Sequence, residues 1–130
     1  MFNIEYELNE KIHATIINPY LSWDELIANC DLIQKYNIKN VSTSLNFLSH
    51  IKNALSNNKI NINTFISYPF ADLPIDFIDE FICYAKDAGA SGIEYTPNFL
   101  NLSKNTFLNI HSYLYTKFRI IIFYKTLLSN

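Results

Sequence analysis

Few side chains in this sequence are placed to do chemistry. Glu94 stands between Ile93 and Tyr95 in a strand-like run, where a carboxylate is costly to bury unless it is paired. A carboxylate so held can move protons. His13 opens a second short run and offers an imidazole for acid–base work. A lone strand histidine, however, is expected to have its ring nitrogens satisfied by backbone or water. Ser42 and Ser44 follow Val41, with no His–Asp pair in view to activate a nucleophile. Lys125 sits just past the most apolar run of the chain, Phe118 to Tyr124. Cys30 and Cys83 lie 53 positions apart, with no Cys or His at metal-ligand spacing around them, so neither a disulfide framework nor a zinc site is indicated. A reducing compartment fits. His50 and His111 fall in separate helical stretches on their solvent sides, and no metal or cofactor is expected.

The elements that position these groups follow from periodicity. The 130 residues are 49% hydrophobic and 17% charged, the composition of one globular domain spanning residues 1–130. Short apolar runs alternate with helical stripes, the pattern of strand–helix units around a parallel sheet. The spacing predicts strands over Ile12 to Ile17, Asn40 to Ser44, Ile62 to Ser67, Gly92 to Thr96 and Phe118 to Tyr124. Ser22-Trp-Asp-Glu25 is a capping box, and Trp23, Leu26, Ile27, Cys30 and Ile33 share the face of the helix it starts. Phe47, Leu48, Ile51, Ala54 and Leu55 form the next stripe. A third helix is predicted from Pro74, with Asp72 as its cap and Ile78, Phe81, Ile82 and Ala85 inward. Gly89 ends it in a left-handed turn. A fourth, capped by Ser103, would bury Phe107, Ile110 and Leu114. The ten Phe and nine Tyr fall mostly at stripe and strand positions and read as core rather than as a stacking platform.

Charge and composition exclude some functions. The net charge is −2, and nine Lys with one Arg are spread along the chain, leaving no basic face for a nucleic acid. No run approaches the roughly 20 apolar residues of a membrane span, and the start lacks a signal-peptide pattern. Ile, Asn, Lys, Phe and Tyr supply 64 of the 130 residues. These have AT-rich codons, which points to an AT-rich genome, a plastid or another such compartment, otherwise the cytoplasm. Single Asn residues therefore carry little weight.

Five strands and four helices make a partial, half TIM barrel, since a complete eight-fold barrel takes about 250 residues. Taken in order, the motifs resemble the deoxyribose-phosphate aldolase family, class I aldolases built on that barrel. Ile12-His-Ala-Thr-Ile-Ile-Asn-Pro19 is similar to the family's first strand, Ile-Asp-His-Thr-Leu-Leu-Lys-Pro. Val41-Ser-Thr-Ser44 takes the place of its second strand. Thr64-Phe-Ile-Ser-Tyr-Pro-Phe-Ala71 resembles Thr-Val-Ile-Gly-Phe-Pro-x-Gly, and Asp87-Ala-Gly-Ala90 with Ile93-Glu-Tyr-Thr-Pro-Asn98 resembles the segment ending Ile-Asp-Met-Val-Ile-Asn. Arg119 to Leu128 matches the fifth strand and its exit. The departures fall on the charged positions: the family's Asp-His is His13-Ala14, its Lys before the proline is Asn18, its third-strand glycines are Ser67 and Ala71, and its catalytic Asp is Glu94.

The resemblance implies a carbon–carbon lyase that cleaves 2-deoxyribose 5-phosphate to glyceraldehyde 3-phosphate and acetaldehyde through a Schiff base. It makes Glu94 the candidate catalytic group and Thr15, Ser42 and Asn98 candidate substrate contacts. Such an enzyme needs a neutral Lys amine to attack the carbonyl and a carboxylate within reach of it. In the family that Lys is on strand six, beyond these residues; Lys125 on the strand-five rim is the only Lys here with a claim to the role, and a solvated one is expected. The chain is thus expected to be catalytically incomplete alone, with a non-catalytic half-barrel interaction or sugar-phosphate-binding module as the alternative. Open edges at both outer strands predict a homodimer or docking on a longer homologue. Glu94 is expected to face the open side of the half-barrel, where water reaches it.

Overall fold

The computed structural model describes residues 4–56, 59–96 and 121–123. In chain order its elements are helix α1 (Ile4–Lys11), strand β1 (His13–Ile16), α2 (Trp23–Lys35), β2 (Asn40–Thr43), α3 (Leu45–Ala54), β3 (Asn61–Ile66), a 3-10 turn (Ile75–Phe77), α4 (Ile78–Asp87), β4 (Gly92–Tyr95) and the three residues Ile121–Phe123 (β5). Neighbouring strands are parallel and the sheet order is β1-β2-β3-β4-β5. Alternation of parallel strands and helices is the βα repeat of a TIM barrel.

Local sequence explains the helix ends. The Ser22 hydroxyl accepts from the Glu25 amide at 3.3 Å, and the Glu25 carboxylate accepts from the Ser22 amide at 2.7 Å, so both halves of the capping box of α2 are made. Helices α2 and α4 close alike. Ile38 N–H donates to Ile33 C=O at 3.0 Å and Asn37 N–H to Gln34 C=O at 3.1 Å; Ala90 N–H donates to Ala85 C=O at 2.9 Å and Gly89 N–H to Lys86 C=O at 3.0 Å. Each is a Schellman turn whose pivot has positive φ, 52° at Asn37 and 93° at Gly89.

One apolar core lies between the sheet and helices α2 to α4. Ile16, Val41, Ile62, Ile66, Ile93 and Tyr95 from the strands meet Leu26, Cys30 and Ile33 of α2, Leu48, Ile51 and Leu55 of α3, and Ile78, Ile82 and Ala85 of α4. The predicted stripes account for the helical part of this set, with three exceptions. Ile27 is half-buried and outside the core cluster. Trp23 is 57% exposed and lies edge-on to His50, ring centroids 5.1 Å apart. It occupies the first helical position, next to the Ser22 cap. Phe81 is 37% exposed.

Two expectations change. α1 was not predicted; its sequence, Ile-Glu-Tyr-Glu-Leu-Asn-Glu-Lys, is mostly polar. The helix expected from Pro74 begins as the 3-10 turn, Phe77 N–H donating to Pro74 C=O at 3.1 Å, and the α-helix starts at Ile78 behind Phe77, with no side-chain cap from Asp72. Ile78, Ile82 and Ala85 are the buried residues of this α-helix. The helix expected around Phe107, Ile110 and Leu114 lies outside the described residues. So do the flanks of β5.

Candidate active site

Successive strand residues point to opposite faces, so the residues between the core positions line the face away from the helices. The register sets Thr15 beside Ser42, Ser42 beside Asn63, Asn63 beside Gly92 and Phe65 beside Glu94. This inward face is polar: Thr15, Ser42, Asn63 and Glu94, with Thr96 one step past β4, interrupted by Phe65. The Thr96 amide donates to Ile66 C=O at 3.0 Å and extends the ladder to that point.

Glu94 is buried completely, at 0% exposure. The Ser42 hydroxyl, itself buried, donates a hydrogen bond to Glu94 Oε1. Among the described residues Glu94 Oε2, Asn63 Oδ1 and Thr96 Oγ1 have no hydrogen-bond partner, and all three side chains are buried. An unpaired buried polar group is destabilising by about 1–3 kcal/mol, more when charged. The inward face therefore concentrates unsatisfied acceptors and hydroxyls around a single carboxylate, and a ligand or chain segment carrying hydrogen-bond donors complements it. Thr64 Oγ1, likewise unpartnered, alternates onto the core side.

The expectation that Glu94 faces open water is overturned: both its neighbours on the strand and the carboxylate itself are buried, and the buried Ser42 hydroxyl takes the place of water at Oε1. Of the other residues singled out, Ser42 is brought to Glu94. Thr15 shares its face and register but is exposed, on the edge strand. Asn98, His111 and Lys125 lie outside the described residues. His13 is exposed at the start of β1, and His50 is exposed on α3 against Trp23. Ser44 takes the N-cap of α3 without a side-chain cap bond. Sequence reasoning missed Asn63 and Thr96. The signal was alternation in Asn61-Ile-Asn-Thr-Phe-Ile66, which sets Asn63 and Phe65 on one face, discounted because Asn is abundant. Among the described residues no three His, Cys, Asp or Glu side chains come together to hold a metal, and no helix is long and apolar enough to cross a membrane.

No protein-family model and no curated protein matches the chain. Solved structures do. A tetrameric deoxyribose phosphate aldolase from Aeropyrum pernix superposes with TM-score 0.79 at 11% identity, over 94% of this chain and 53% of that one. A protein assigned as a deoxyribose-phosphate aldolase from Coccidioides immitis gives 0.76 at 16% identity, over 89% and 47%. QR15, described as an aldolase, gives 0.71 at 13% identity, over 100% and 59%. This chain spans about half the length of each. Likeness at such identities is likeness of fold: the chain folds as about half of a deoxyribose-phosphate-aldolase-type barrel.

Proposed function

We propose that this chain is an aldolase-type half-barrel whose inward face binds a sugar phosphate, with Glu94 as its proton-handling carboxylate. The observation that carries the reading is the burial of Glu94 at 0% exposure, with Oε1 held by Ser42 and Oε2 unpartnered among the described residues. Held by Ser42 at one oxygen, the carboxylate keeps the other to meet a ligand's proton by hydrogen bonding, the geometry a general acid or base needs. The likeness of fold to deoxyribose-phosphate aldolases supports 2-deoxyribose 5-phosphate as the ligand.

The same reading holds that the 130 residues do not by themselves cleave it. Imine formation needs a shielded primary amine, which the family's pattern places on strand six, and a second chain or segment has to bring one to Glu94. Borohydride trapping with 2-deoxyribose 5-phosphate tests this. The purified chain is expected to give no adduct while melting higher in the presence of the sugar phosphate. A stable adduct on any Lys overturns the incompleteness, and a melting temperature blind to the ligand overturns the binding.

The alternative, a non-catalytic module that docks on a partner, rests on the unpartnered acceptors Asn63 Oδ1 and Glu94 Oε2, which a partner's donors would satisfy equally well. Light scattering with and without sugar phosphate separates the two: a discrete oligomer indifferent to ligand favours docking.

A further inference from the structure

Glu94 stands where the aldolase pattern has an Asp, and its arm is one methylene longer. That length has a use here. β2 and β4 are not neighbours; β3 runs between them, and two strand spacings of about 4.8 Å set their axes roughly 10 Å apart. Ser42 is level with Asn63, which is level with Gly92, so Glu94 lies two residues further along β4. The bond from the Ser42 hydroxyl to Glu94 Oε1 therefore runs diagonally over β3. A short serine supplies little of that reach, and most of it comes from the glutamate; an aspartate in the same backbone position falls short.

The bond engages one carboxylate oxygen and leaves Oε2 without a partner among the described residues. We infer that Ser42 is a positioning residue, which holds Oε1, fixes the plane of the carboxylate and leaves Oε2 as the oxygen offered to a ligand of the inward face. Ser42 thus acts through Glu94 rather than on the ligand directly, and Glu94 and Ser42 form a linked pair in place of the family's single Asp. A hydroxyl donating to a carboxylate stabilises it by more than a neutral pair would, and a flexible glutamate held at one oxygen loses the rotational freedom that would blur its position. The inference rests on the reading of Glu94 as the carboxylate that meets the ligand.

The test is carbon-13 NMR of the full chain labelled at the glutamate carboxyl, with the Glu94 signal assigned by Glu94→Gln and 2-deoxyribose 5-phosphate as the titrant. In Ser42→Ala the Glu94 signal is expected to move in the free protein, and the affinity read from it to fall about tenfold. Ser42→Thr keeps the hydroxyl and is expected to restore both. Should Ser42→Ala not fold, Ser42→Cys, close in volume and a weak donor, takes its place in the same titration. An affinity unchanged in Ser42→Ala overturns the positioning role even if the free signal moves. A wild-type Glu94 signal that ignores the sugar phosphate overturns the reading of Glu94, and the inference with it. The free-protein shift then still reports the Ser42–Glu94 contact by itself, so the two failures are distinct.

Discussion

The hydroxyl of Ser42 on β2 donates to the carboxylate of Glu94 on β4 over the intervening β3, and both side chains are buried. A contact that skips a strand ties β2 to β4 directly through side chains, in addition to the backbone ladders each makes with β3.

Ser42→Ala leaves a buried carboxylate oxygen without its donor and is expected to destabilise the chain by about 1–3 kcal/mol in urea unfolding. Removing both polar partners with Ser42→Ala and Glu94→Met is expected to cost less than the two single losses added together, because no uncompensated charge is left inside. Simple additivity of the singles would show that the two groups are not coupled.

The loop after β3 contains two non-glycine residues with positive φ, Ser67 at 64° and Ala71 at 54°, at the positions where the aldolase pattern has glycine. Ala71→Gly removes a Cβ from a left-handed residue and is expected to raise stability by up to about 1 kcal/mol. Ser67→Gly gains the same relief but gives up the hydroxyl that accepts from the Leu73 amide at 3.0 Å, so a near-zero change is expected. Gly89→Ala runs the opposite way. At φ 93° its Cβ would lie 3.3 Å from Lys52 Cε and Cγ, and a loss of about 1 kcal/mol or more is expected from thermal or urea unfolding.

At the start of α2, the Ser22 backbone amide and then its hydroxyl hold the Glu25 carboxyl below its ordinary value of 4.5. A lowered carboxyl favours the folded chain where it is ionised. The contribution is present above pH 4.5 and is lost as pH falls through the depressed folded-state value. Ser22→Ala is expected to be less stable by about 1 kcal/mol near neutral pH. The gap should narrow on acidification, and a gap that is constant with pH would show that the carboxylate takes no part in the cap.

Two thiols in unlike settings give a simple check on the packing. Cys83 is exposed on α4, whereas Cys30 is buried in α2 against the core. Burial, with Asp31 acting in the same direction, pushes the Cys30 thiol up and suppresses its thiolate. A thiol reagent is expected to modify Cys83 quickly in the native chain and Cys30 only on unfolding. Two equally fast thiols would contradict the packing of α2.

Much of the fold was legible because it is written in short-range chemistry. The capping box at Ser22, the left-handed pivot at Gly89 and the stripe Leu48, Ile51 and Leu55 are set by neighbours within a helical turn or two. Their sequence signals are strong because the physics is local. The start of α4 was misread: proline's fixed φ marks a helical first turn equally well for the 3-10 turn that forms there.

The sequence by itself determined the alternation of strands and helices, most of the apolar face that α2, α3 and α4 turn to the sheet, and the presence of an acidic residue at position 94 inside a strand. Tertiary structure alone decided what that residue is. Whether Glu94 meets water or Ser42 depends on the register of β2, β3 and β4, which brings together side chains 52 positions apart in the chain. No local pattern encodes such a distance, since hydrogen bonding between side chains of different strands follows from how the strands are stacked.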